Sequence, residues 1–498
     1  MTTDIVIRWC NNLHCRLETD SGISMEVYDE FSFFVPGYKY MPMFKAGRWD
    51  GKIKLYDLRN RKFYIGLLPR LIEWADLNGY SISFQDKDEF RKGNIYDQEL
   101  VEEIYKTSRF VPKEHQKKAV EYALKNPKTL TLSPTASGKS MMMYLLVRYL
   151  LEHTEDHVLI TVPNTALVEQ LYTDFEDYVA DGFIVADAVQ RLHGDRKEIV
   201  QGSRVLISTW QSVYKKGPEF FERFNTYMCD EAHGADAKSI SSIVEKLAHA
   251  DRRFGFTGTL DGTLMHELDM LARFGNLHRV ISTKELMDQG DVAQLAIEAW
   301  ILQYNDEDRK LVKGAEYQDE LNFLVSHKAR NKFMCMKALE AEGNVIMLFN
   351  YIDKHGSILY KMLEPACKEL GRPLYYVHGG TDVDDREQIR HILEKTNNAI
   401  LLASFGTMST GTNIKNLHHA MFCHPYKAAI KTLQSIGRTL RVSDTKKNAR
   451  LIDFGDDLTY TSRNGKEKAN TVFRHFIERL SIYKKERFNY KIFEKKLT

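Results

Sequence analysis

The chain has 498 residues, 43% of them hydrophobic and 28% charged, a length that calls for two to four domains because one core seldom organises more than ~250–300 residues. A formal net charge of +2 gives no global electrostatic pull towards nucleic acid, and six cysteines spread over the whole length suit a reducing cytoplasm better than a disulfide framework. No apolar run approaches ~18 uncharged residues, and the N-terminus MTTDIVIRWCNN lacks a basic region followed by an apolar one, so neither a membrane span nor a secretory leader is expected.

Residues 1–100 carry short alternating segments, many aromatics and frequent Gly or Pro, which predicts a small β-containing domain. Cys10, His14 and Cys15 lie close together, but no second Cys/His pair completes a zinc site, so packing is the expected role. Between Tyr38 and Lys62 eight Lys or Arg stand against two Asp, a local excess of +6, with Tyr38, Tyr40, Phe44, Trp49 and Tyr56 interleaved. Two readings stand for this stretch. The cations, above all Lys45, Arg48, Lys52 and Lys54, can neutralise phosphates while aromatics such as Trp49 stack on exposed bases. Alternatively, the aromatics fill a twisted hairpin and the lysines are merely solvated.

Beyond Val111 the texture changes. Short apolar segments TLTLS (129–133), HVLITV (157–162), RVLIST (204–209), TYMCD (226–230) and RFGFTG (253–258) alternate with helical stretches, the pattern of βαβ units around a parallel sheet. It returns in NVIMLF (344–349), LYYVH (374–378), AILLAS (399–404), AMFC (420–423) and ARLIDF (449–454). Two α/β sheets in series are therefore expected, joined near MDQGDVAQ around Asp288–Asp291. The divisions are 1–100, 101–290, 291–460 and a basic helical tail, 461–498. Arg463–Lys496 has eleven basic and four acidic residues, with Phe473, Phe476, Tyr483, Phe488 and Phe493 among its aromatics. Such a tail either flanks a nucleic-acid path or docks on the second sheet.

Three segments carry chemistry. LSPTASGKS (132–140) follows a strand and opens an apolar helix, the context in which backbone N–H groups and a helix N-terminus cradle phosphates. There Ser137 and Gly138 would line the loop, Lys139 would reach the β and γ phosphates of ATP, and the Ser140 hydroxyl would bind Mg²⁺. Ser133 stands where the general motif has its first Gly, and Ala136 where many helicases have another. CDEAH (229–233) ends a second strand. Asp230 is expected to hold Mg²⁺ through water, and Glu231 to orient or deprotonate the attacking water. Both segments belong at carboxyl ends of strands, where open α/β sheets collect ligands. QSIGRTLR (434–441) sets Arg438 and Arg441 on one helical face. Positive charge from a second lobe would complete the site only on closure, which couples hydrolysis to motion.

With these residues in place, the chain resembles the superfamily-two helicases of DEAH lettering, over an ordered motif set from Gln116 to Arg441. The resemblance implies two tandem RecA-like parallel-sheet lobes, a small N-terminal α+β DNA-recognition domain and the helical tail. It implies that Gln116 in PKEHQKKAV reads adenine. Pro163 and Asn164 in TVPNTALVEQ, and Gly379 in YYVHGG, would contact the phosphodiester backbone, and STWQS (208–212) the next strand. TGT (257–259) stands where a short coupling motif is expected. SFGTMSTGTNI (404–414) would touch nucleic acid and ATP, through Thr410, Gly411 and Asn413. FKAGRWDGKIKLYDLRNRKFYIGLLPRL (44–71) is similar to the small N-terminal module of the XPB-like and phage branch. That branch implies an ATP- and Mg²⁺-dependent helicase or translocase on branched or partly single-stranded DNA. Forks, Holliday junctions, D-loops and R-loops, the last with RNA–DNA hybrids, would be its substrates in recombination, replication and repair. A monomer in the (host) cytoplasm is the favoured state, with no membrane partner. From the residues alone three alternatives stay open: an RNA helicase, a restriction-type motor subunit, and an annealing protein with a degenerate ATP site.

Overall fold

The computed structural model describes residues 3–134, 136–193, 202–233, 237–258, 260, 263–291, 294–409, 414, 416–425, 448–462 and 465–497. The chain forms two compact units, one of residues 1–133 and 138–281, the other of residues 134–137 and 282–498.

The first unit opens with seven short strands: β1 (Ile5–Trp9), β2 (His14–Glu18), β3 (Ser32–Phe34), β4 (Lys52–Lys54), β5 (Tyr56–Asp57), β6 (Lys62–Tyr64) and β7 (Ile82–Phe84). Five of them make one sheet in the order β5-β6-β2-β1-β7, while β3 and β4 pair as a separate antiparallel ribbon. Alternate residues Ile5, Ile7, Cys15, Leu17 and Phe63 are fully buried, the period-two burial of a one-faced sheet. Cys15 thus belongs to the core, with its thiol on the Phe63 carbonyl at 3.6 Å.

Among the described residues seven further strands follow: β8 (Lys128–Leu132), β9 (Val158–Val162), β10 (Val189–Leu192), β11 (Val205–Thr209), β12 (Thr226–Cys229), β13 (Arg252–Thr257) and β14 (Asn276–Arg279). They form a parallel sheet ordered β10-β11-β9-β12-β13-β8-β14. The helix Lys139–His153 is buried along Met141–Leu150, which explains its almost unbroken apolar sequence.

The N-terminal module shares its core with this sheet. Ile7, Leu17 and Phe63 join Leu130, Tyr227, Leu271 and Phe274 in one hydrophobic cluster. Gly66 lies so close that a Cβ would sit 2.0 Å from the Leu271 carbonyl oxygen. Polar groups seal the seam. The Asn12 amide donates to the His249 carbonyl and to Asp251, both at 2.9 Å. Glu245 takes the Tyr64 hydroxyl at 2.9 Å and lies 3.3 Å from His14 Nε2. Arg253 is buried and donates to the carbonyls of Arg273 and Asn12; burial pushes its pKa down to about 10.

The second unit has β15 (Gln294–Gln303), β16 (Val345–Phe349), β17 (Leu374–Val377), β18 (Ile400–Ser404), β19 (His419–Phe422), β20 (Asn448–Asp457), a small hairpin of β21 (Tyr460–Thr461) and β22 (Glu467–Lys468), and β23 (Asn489–Lys496). Its large sheet is parallel, in the order β17-β18-β16-β19-β20-β15-β23. The tail forms the expected helix, Thr471–Lys485, and then adds β23 to the sheet edge, where Phe493 stacks on Trp300 at 4.8 Å. Arg479 makes a buried double hydrogen bond to Asp453, 2.8 Å on each oxygen, and the Tyr483 hydroxyl joins at 2.9 Å. Of the two readings of the tail, docking on the second sheet is the one observed. Among the described residues, no helix is long and apolar enough to cross a membrane.

Candidate active site

The phosphate-loop segment leaves β8 with Ser133, whose N–H donates to the Thr257 carbonyl at the end of β13, 2.9 Å away. Ser137 closes the next turn by donating from its hydroxyl to the Pro134 carbonyl at 2.7 Å. Gly138, at φ +82°, is the N-cap of the helix Lys139–His153. A side chain there would meet the Gln116 amide nitrogen at 2.1 Å. Gln116 itself sits in the first turn of the helix Glu114–Lys125, and its side-chain oxygen accepts from the Lys113 N–H at 2.9 Å. The structure thus brings Gln116 against the backbone that leads into Lys139.

Ala136 has φ +69°, a left-handed conformation that costs an L-residue about 1–2 kcal/mol. Ala136→Gly is therefore expected to stabilise the protein by about 0.5–1 kcal/mol, the strain relief exceeding the extra unfolded-chain entropy of glycine. Denaturant unfolding measures this, and an unchanged or lowered midpoint would show that the loop is not strained.

The acidic pair sits beside the loop. The Asp230 N–H donates to the Thr161 carbonyl at 2.9 Å, continuing β12 against β9. Glu231 then turns into the left-handed region at φ +47°. The Lys139 ammonium is 3.7 Å from Glu231 Oε1 and 3.3 Å from the Ser133 carbonyl oxygen. His233 Nδ1 is 2.6 Å from the Thr257 hydroxyl and 3.4 Å from Glu231 Oε2. One imidazole therefore links the acidic turn to the TGT segment.

Electrostatics separate the two carboxyls. Burial, reinforced by the neighbouring Glu231 charge, pushes the Asp230 pKa up to about 7. Burial opposes ionisation of Glu231 too, but Lys139, then His233 and the Gly258 N–H, outweigh it and hold Glu231 below the usual range. One oxygen of Asp230, Oδ1, is buried without a hydrogen-bond partner. An unsatisfied buried carboxyl oxygen beside a lysine, at the carboxyl ends of parallel strands, fits a divalent cation bound with a phosphate chain. Ser140 opens the same helix as Lys139, with its hydroxyl 2.8 Å from that of Tyr178.

The other candidate residues are dispersed. Asn164 is the N-cap of the helix Thr165–Tyr178, its side chain accepting from the Leu167 N–H at 3.0 Å, and Pro163 precedes it at the end of β9. Gly379 lies in an exposed turn whose carbonyl accepts from Arg386 at 3.0 Å. Lys45 and Arg48 are exposed. Trp49 is half-buried and its indole N–H donates to the Lys52 carbonyl at 2.9 Å. Lys52 lies over the Phe34 ring at 5.0 Å, and Lys54 pairs with Asp50 at 2.7 Å. Tyr38 stacks on Phe34 and meets Phe44 edge-on, while Tyr56 is buried. Phe34, Tyr40 and Met43 remain 52%, 81% and 54% exposed. The aromatics are thus divided between core and surface. Thr410, Gly411, Asn413, Arg438 and Arg441 lie outside the described residues.

Two residues at the site carried no sequence-derived role. His233 was visible inside DEAH, but its bond to Thr257 spans 24 residues. Tyr178 sits on an ordinary amphipathic helix, and nothing in its sequence neighbourhood marks it.

Comparison with known proteins matches residues 4–85 to the model "DNA helicase UvsW, N-terminal", residues 109–262 to "Type III restriction enzyme, res subunit", and residues 330–443 to "Helicase conserved C-terminal domain". The chain is 32% identical over 500 aligned positions to the ATP-dependent DNA helicase uvsW of Enterobacteria phage T4, covering 98% of each. The crystal structure of T4 UvsW matches over 100% of both chains with a TM-score of 0.52 and 31% identity. A DNA-bound Type ISP restriction-modification enzyme, LlaBIII, matches 77% of this chain and 31% of its own with a TM-score of 0.55; at 14% identity the likeness is one of fold.

Proposed function

Because the chain belongs to the UvsW family of ATP-dependent DNA helicases, we propose that it hydrolyses ATP with Mg²⁺ to unwind or branch-migrate branched DNA in recombination, replication and repair. The observation that carries the nucleotide chemistry is the buried, unpartnered Asp230 oxygen beside Lys139 and Glu231. Bound Mg²⁺ would neutralise charge on the phosphate oxygens. Asp230 and Ser140 are the residues to hold it. Lys139 neutralises the terminal phosphates, and the Gly138 backbone allows their close approach. Glu231, kept ionised by Lys139, orients the attacking water. Gln116 recognises adenine, and Gly411 and Asn413 belong to the same nucleotide site in this reading. Arg438 and Arg441 supply charge to the transferring phosphoryl group.

DNA contact is assigned to Pro163, Asn164, Gly379 and Thr410 and to the N-terminal ribbon. Supporting the ribbon's role, its exposed Phe34, Tyr40 and Met43 adjoin Lys45, Arg48 and Lys52 in sequence, a combination suited to phosphates and unstacked bases. RNA–DNA hybrids within R-loops fall within the proposed substrate range, and a monomer is the proposed working state. The test is a panel of ATPase and unwinding measurements on forks, Holliday junctions, D-loops, R-loops, single-stranded DNA and RNA. Branched DNA should give the strongest stimulation; equal stimulation by RNA would overturn the substrate class.

Changing Lys45, Arg48, Lys52 and Lys54 together to alanine is expected to weaken fork binding and flatten its salt dependence. Since Lys54 is already paired with Asp50, the log–log slope should drop by about 3, near 0.9 for each phosphate no longer neutralised. A slope identical to that of the unaltered protein would make the ribbon structural.

A further inference from the structure

The geometry points to Tyr178 as a positioning residue for the Ser140 hydroxyl, setting it for a divalent cation; this rests on the nucleotide-site reading above. Tyr178 is the last residue of the helix Thr165–Tyr178, and its hydroxyl oxygen lies 2.8 Å from Ser140 Oγ. A serine hydroxyl has one hydrogen and two lone pairs. Ser140 can give a lone pair to a cation only when its hydrogen is directed elsewhere. The Tyr178 oxygen is an acceptor for that hydrogen at normal hydrogen-bond distance. Groups of this kind, one bond away from a ligand atom, fix its orientation and commonly change metal affinity by about 10–100-fold when removed.

The tyrosine is itself held on several sides. Its ring meets Tyr144 edge-on at 5.6 Å and Phe110 edge-on at 6.1 Å. Its carbonyl accepts from the Arg109 N–H at 2.8 Å, and two residues on the Ala180 N–H donates to the Thr107 carbonyl at 3.0 Å. A single antiparallel bridge pairs Ser108 with Val179. The hydroxyl therefore sits on a ring that its neighbours hold in place beside Ser140. The same helix begins at Asn164, the residue assigned to the DNA backbone. One rigid element about 21 Å long, at 1.5 Å per residue, thus has a candidate DNA contact at one end and Ser140 at the other.

Tyr178→Phe keeps the ring and removes only the acceptor, so unfolding midpoints should match those of the unaltered protein. The decisive readout is equilibrium binding of a fluorescent, non-hydrolysable ATP analogue, with Mg²⁺ and with EDTA. In EDTA the variant should bind as the unaltered protein does. The enhancement by Mg²⁺ should fall about 10-fold. An enhancement equal to that of the unaltered protein would overturn the inference. Ser140→Ala separates the two levels of argument. If it too leaves the Mg²⁺ enhancement intact, the assignment of the phosphate loop fails; if only Tyr178→Phe does, the loop stands and Tyr178 is packing alone.

Discussion

Lys139→Ala is expected to lower ATP turnover by about 10³-fold or more, roughly 4 kcal/mol of transition-state stabilisation, while fork binding without nucleotide persists. The ammonium sits 3.3 Å from the Ser133 carbonyl and 3.7 Å from Glu231, so the change removes two things at once. The cation proposed to face the terminal phosphates is lost. Glu231 also loses the neighbour that holds its pKa down, and its carboxyl becomes easier to protonate. Lys139→Arg keeps the charge but not the compact point geometry, and should recover little turnover. Steady-state phosphate release in the presence of forked DNA measures both, and turnover within about 10-fold of normal in the alanine variant would remove the phosphate-loop assignment.

Asp230→Asn should abolish turnover to a comparable degree yet make the protein more stable. In the folded chain burial raises the Asp230 pKa from 3.8 to about 7. Between those pH values the folded state binds the extra proton, so the stability that Asp230 contributes is fully present in acid and is lost as pH rises towards 7. Asparagine has the same shape and no charge to bury. The gain from the substitution should be near zero at pH 4 and grow to about 1 kcal/mol or more at pH 8, the size usual when a functional strain is relieved. Denaturant unfolding at the two pH values tests this. A gain independent of pH would mean that Asp230 is ionised throughout. The same protonation predicts that Mg²⁺ binding to the unaltered protein releases a proton and weakens as pH drops below 7.

Much of the architecture is readable from local sequence because the inner strands of a parallel sheet are buried on both faces. HVLITV, RVLIST, NVIMLF and AILLAS read as near-continuous apolar runs for that reason, and each lies on a strand of the structure. The strands that local sequence does not announce lie at or next to sheet ends: β10 (VQRL), β14 (NLHR), β15 and β23 (NYKIFEKK). With less of their surface covered, most of them carry polar residues and leave no clean period. The texture change near residue 100 reads as a domain boundary, yet Phe63 and Leu271 share one core. Composition records a change of secondary structure and is blind to who packs against whom. Asn164 is similar: its place before a helix is legible, and the structure shows it capping that helix.

The chemical inventory of the site is legible in local sequence: a lysine and a serine opening a helix after one strand, and two carboxyls ending another. Those features follow from backbone geometry within a few residues, where turn and helix-start preferences act. How that inventory is wired comes from the folded chain alone. The pairs Ser140–Tyr178 and His233–Thr257 join residues 38 and 24 positions apart. No local rule selects such partners. They meet because the apolar cores bring their strands and helices together, and a buried polar group must then pair with whatever the fold places beside it.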